Sequence, residues 1–66
     1  MIFIELTSPN YGKFYAQIAH IKRVYQDKDG WTHIVGLNNN GSIAVKEEIH
    51  DVMVKIKDAV KYEKIN

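Results

Sequence analysis

The chain has 66 residues, 9 basic and 8 acidic, for a net charge of +1, with 45% hydrophobic residues and no cysteine. That length bounds it to one domain, 1–66, with a small core, and the hydrophobic content excludes disorder. Without cysteine there is neither a disulfide nor a thiolate metal site, and the near-neutral charge makes no electrostatic case for nucleic acid or an anionic membrane.

No apolar run approaches the roughly 20 residues of a membrane span. The opening Met1-Ile2-Phe3-Ile4-Glu5-Leu6 is too short, and too soon acidic, for a signal peptide. The expected compartment is therefore the cytoplasm, with no membrane partner.

In chain order, Ile2, Ile4 and Leu6 alternate with Phe3, Glu5 and Thr7, which predicts a strand. Thr7-Ser8-Pro9-Asn10-Tyr11-Gly12 has turn chemistry, and a second strand resumes with Phe14, Ala16 and Ile18 on one face. The register breaks at Ala19-His20, since Ile18, Ile21 and Val24 are spaced by three. We read a bend there and a strand from Ile21 to Tyr25. A helix over 16–24 is the competing reading, and β-branched Ile21 and Val24 favour the strand.

Gln26-Asp27-Lys28-Asp29-Gly30 reads as a polar hairpin loop. The strand Trp31–Leu37 follows, then Asn38-Asn39-Asn40-Gly41, where Asn40-Gly41 is the strongest short-range hairpin signal in the chain. Which face of Trp31–Leu37 turns inward stays open, because Trp31, Val35 and Leu37 compete with Ile34. A short strand spans Ser42 to Lys46. From Glu48 onward, Ile49, Val52, Met53, Ile56 and Val60 follow helical spacing, with Ala59 and Glu63 at the margins of the same face. Acidic residues at its start and lysines toward its end complement the helix dipole.

The expected fold is α+β, a small antiparallel sheet of four to five strands with one C-terminal helix packed on one face. The expected core is Ile2, Ile4, Leu6, Phe14, Ile18, Ile21, Val24, Ile34, Val45, Val52, Met53, Ile56 and Val60. The succession Leu6-Thr7, Gly12-Lys13-Phe14-Tyr15, Ile21 with Val24, Asn40-Gly41, Val45-Lys46-Glu47, then Val52 and Ile56 resembles the short flagellar and swarming-motility proteins of the FlbD type. The resemblance covers nearly the whole chain. It implies no catalytic or cofactor residue, and since similar short proteins occur in phage and in bacteria without flagella, it bears on fold more than on role.

The residues point away from catalysis. His20, His33 and His50 have no helical metal spacing, and His33, alternating with Trp31 and Val35, is expected to pack beside an aromatic ring. Asp27, Asp29 and Asn38-Asn39-Asn40 do not fit the twelve-residue calcium loop, and they read as turns. No phosphate loop and no recognisable nucleophile setting stands out, so the chain is read as non-enzymatic, with no cofactor and no metal.

Two contact functions remain. Phe3, Val54, Tyr62 and Ile65 are apolar beyond what one small core can hide. They predict a self-associating module, a dimer first of all, that also meets an unidentified protein partner. The alternative is a single-stranded nucleic-acid binder using Lys13, Tyr15, Arg23, Tyr25 and Trp31, because aromatics with basic neighbours on a sheet form stacking platforms.

Overall fold

A computed structural model describes residues 2–39 and 41–65, with side chains as far as residue 62. The expected side-chain positions of Glu63 and Ile65, and the expected turn residue Asn40, lie outside the described residues.

Alternating side chains and a short turn build the first hairpin. Strand β1, Phe3–Ser8, pairs antiparallel with β2, Gly12–Gln17, in a register that sets Leu6 against Phe14 and Glu5 against Tyr15. Ile4, Leu6 and Ala16 are buried on its inner face, while Phe3 is half exposed. Ser8 closes the turn: its buried hydroxyl oxygen accepts the Asn10 and Tyr11 N–H groups at 3.1 and 3.2 Å. This is an ST-type turn, with a serine oxygen replacing water on two backbone donors.

The expected bend is a 3₁₀ turn, Ile18–His20. Helix over 16–24 is thereby overturned: residues 16–17 belong to β2 and β3 spans Arg23–Gln26. Strand β4, Thr32–Val35, pairs with β3 and with β5, Ser42–Val45, in a second antiparallel sheet. The five strands thus form two sheets, ordered β1-β2 and β3-β4-β5. A backbone bond joins them where Lys46 N–H donates to Thr7 C=O at 2.8 Å, while Ile18 N–H to Ile2 C=O at 2.9 Å continues the β1–β2 ladder by one pair.

The β4–β5 connection corrects the expected one. β4 ends at Val35 and β5 begins at Ser42, so the connection is two residues longer than the expected turn Asn38-Asn39-Asn40-Gly41. Gly36 makes the loop possible: its φ is +115°, and a Cβ built there would lie 2.0 Å from the His20 carbonyl oxygen. Only glycine accepts both that dihedral and that approach. The open question of β4 is settled by its burial: Thr32 and Ile34 face inward, and Trp31 is 44% exposed. Leu37 packs on the core from the loop.

Helix α1, Ile49–Ile65, packs against β1 and β3. Val52 is fully buried, and together with Leu6, Ile34 and Val45 it forms the centre of the core. Ile56 and Ala59 pack beside it. Met53 and Val60, expected in the core, are 48% and 36% exposed. The reason is a rotation of the helix. The covered face is centred on Val52, Ile56 and Ala59, with Lys55 Nζ donating to the Glu5 carbonyl at 2.7 Å on the same side, so Met53 and Val60 fall at its margin.

Candidate functional site

Two sets of side chains stand out from the core. The first binds β1 to the start of the helix. Glu47 Oε1 accepts the Thr7 N–H and Oε2 accepts the Thr7 hydroxyl, both at 2.9 Å. Burial pushes the Glu47 carboxyl up, but the bonds from Thr7 and from its own backbone N–H, with the charge of Lys55, outweigh that and hold it below its ordinary value. This set is structural: it fixes where the helix begins, in a chain with no Ser, Thr, Asp or Asn just before Ile49.

The second set lies on the outer face of β3-β4-β5. The register sets Tyr25 opposite His33, and their rings stack with centroids 5.0 Å apart and planes 9° apart. The expected aromatic neighbour of His33 is therefore real, though it is Tyr25 across the strands. The Arg23 guanidinium lies 5.1 Å from the Tyr25 centroid, a cation–π contact. His33 Nε2 is 2.7 Å from Asp27 Oδ2, and His33 Nδ1 is 2.9 Å from Ser42 Oγ. The Tyr25 hydroxyl reaches the same Ser42 oxygen at 3.5 Å. The bond from His33 chiefly holds the Asp27 carboxyl below its ordinary value; burial opposes this, and the Trp31 and Asp29 N–H bonds reinforce it.

Asp27 also builds the hairpin loop. Its Oδ1 accepts the Asp29 N–H at 2.9 Å and the Trp31 N–H at 3.0 Å, and Gly30 takes a positive φ of 94°. The aspartates read as turn residues do act as turn residues. Among the described residues no group of three His, Cys, Asp or Glu side chains is placed to hold a metal ion.

The five residues of the nucleic-acid reading divide between the two sheets. Lys13 and Tyr15 lie on β2, where both meet Glu5: the Lys13 ammonium at 3.7 Å and the Tyr15 hydroxyl at 3.3 Å. Arg23 and Tyr25 lie on β3, and Trp31 lies across from Asp27 just before β4, so these three share the outer face of the second sheet. The expected contact residues also divide. Val54 and Tyr62 are exposed on the helix. Phe3 lines a cavity of about 280 Å³ with Phe14, Ala16, His20, Leu37 and Ile43, away from the helix.

Sequence reading missed the Asp27–His33–Ser42 set. The expected strand ending at Leu37 and turn over residues 38–41 would pair Ser42 with Leu37, whereas the observed register pairs Ser42 with Val35 and puts it diagonal to His33. The parity of Tyr25, Asp27 and His33 was available as a signal; the loop length that brings Ser42 beside them was not. Compared with known protein families, curated proteins and solved structures, the chain matches none.

Proposed function

We propose that the protein is a non-enzymatic module of the cytoplasm that acts by contact, first with a second copy of itself and then with a protein partner. The observation that carries this reading is the outer side of α1. Met53 and Val60 are one helical line, both exposed, and Val54 is exposed beside them. Met53 and Ile56 continue into a groove of about 280 Å³ with Ile18, Ile21 and Val24 from the other wall. A small chain that leaves such a strip uncovered gains by burying it against another surface, at roughly 25 cal/mol per Å² of apolar area. The resemblance to short FlbD-type motility proteins is compatible with a contact role and names no chemistry.

Sedimentation velocity over the micromolar range tests it. A concentration-dependent dimer that Met53→Glu with Val60→Glu converts to monomer is the expected result; a strict monomer at every concentration would remove the reading. The gathering of Arg23, Tyr25 and Trp31 favours one second reading, a single-stranded nucleic-acid contact on the outer face of β3-β4-β5. Electrophoretic binding across salt concentrations decides that, and no shift at low salt ends it.

A further inference from the structure

The Asp27–His33–Ser42 set has one consistent direction of hydrogen bonding when the carboxyl is ionised and the imidazole neutral. Asp27 is an ionised carboxylate with both oxygens engaged: Oδ1 by two loop N–H groups, Oδ2 by His33 Nε2. A carboxylate only accepts, so Nε2 carries the proton. In the neutral imidazole Nδ1 is then a bare lone pair, and the group within hydrogen-bond distance of it is the Ser42 hydroxyl, which therefore donates. The Tyr25 ring, stacked at 5.0 Å, holds the imidazole plane. Serine, base and orienting carboxylate come from β5, β4 and the β3–β4 loop. Ser42 and His33 are half-buried on an outward face, within reach of a small molecule.

We propose that Ser42 is a base-activated nucleophile and that this face is an acyl-acceptor site for small activated esters. In the step, Ser42 Oγ bonds to the ester carbonyl carbon as its O–H bond breaks and the proton passes to His33 Nδ1. The tetrahedral centre collapses, the bond to the leaving alcohol breaks, and that alcohol departs with the proton from His33. Ser42 is left as an acyl ester, and no electron is gained or lost. Asp27 is a positioning residue: it keeps the proton on Nε2 and stabilises the imidazolium. The imidazole nitrogens exchange the places they hold in the Ser–His–Asp relay of serine hydrolases, which leaves the logic of base and orienter unchanged. A stoichiometric modification of this kind needs no turnover, and it stands independently of the self-association proposed above.

The test uses the full chain and p-nitrophenyl acetate, with nitrophenolate release followed in time and the acetyl group located by peptide mass spectrometry. The expected result is a burst near one equivalent, with the acetyl group on Ser42. Ser42→Ala abolishes the burst, and Ser42→Cys, which keeps a nucleophile in place, retains it. His33→Gln slows acetylation on the order of 100-fold, the usual scale of general-base assistance. Asp27→Asn changes the pH profile of Ser42 acetylation as well as its rate, which a merely structural aspartate would not do. Acetyl groups confined to lysines and the N-terminus would overturn the proposal. So would Ser42 acetylation as fast in His33→Gln as in the wild type, which would mark an ordinary surface hydroxyl.

Discussion

The two sheets are alike inside and unlike outside. β1-β2 buries Ile4, Leu6 and Ala16, and β3-β4-β5 buries Thr32, Ile34 and Val45, so each contributes an inner face to one core. The outer face of β1-β2 carries an exposed Lys13–Glu5 pair and the Tyr15 hydroxyl on the same carboxylate. The outer face of β3-β4-β5 carries a closed network through Arg23, Tyr25, His33, Asp27 and Ser42. Polar groups on a sheet thus do two different things. Where solvent screens them they decorate; where strand register stacks and half-buries them they hold one geometry.

Substitutions can break this comparison. The inner faces should respond alike and most strongly: Leu6→Ala and Ile34→Ala each remove a fully buried side chain and should cost about 3–4 kcal/mol by urea titration. A cost at only one of them would show that the sheets do not share one core. Gly36→Ala comes next. Its Cβ would meet the His20 carbonyl at 2.0 Å with φ at +115°, so we expect a loss on the order of 3 kcal/mol and a lower melting temperature.

Glu47→Ala strips the acceptor from the Thr7 N–H and hydroxyl and should cost about 1–2 kcal/mol. The same carboxyl makes stability depend on pH. Its folded value lies below its ordinary 4.5, so the contribution is present above about 4.5 and is lost as pH falls below that value. Acid titration of the melting temperature should show this loss in the wild type and a shallower slope in Glu47→Gln.

Asp27, also held below its ordinary 3.8, acts in the same direction at lower pH, and Asp27→Asn should flatten that part of the curve. The smallest effect belongs to the screened face: Lys13→Ala should change stability by less than about 0.5 kcal/mol, measured in low salt. A larger loss there than at Glu47 would reverse the contrast between the faces.

Much of the chain could be read before folding. The alternation of Ile4 and Leu6, the Ser8–Gly12 turn, the break at Ile18–His20 and the helix from Ile49 all reflect interactions between residues near in sequence. The outer-face site could not be read, because Ser42 and His33 meet only through the length of the 36–41 loop. Asn40-Gly41 has the residues of a tight hairpin, but Gly36, pressed against the His20 carbonyl, ends β4 earlier and lengthens the loop.

The sequence by itself determined the type and order of the elements, since side-chain period, proline and glycine act over a few residues. Tertiary structure alone decided where the margin of the covered helix face falls. Val52 and Met53 are adjacent and both apolar, so hydrophobicity cannot choose between them. Val52 fills the space left beside Leu6 and Ile34 once the two sheets meet, and Lys55 reaches the Glu5 carbonyl, 50 residues away, from that same side.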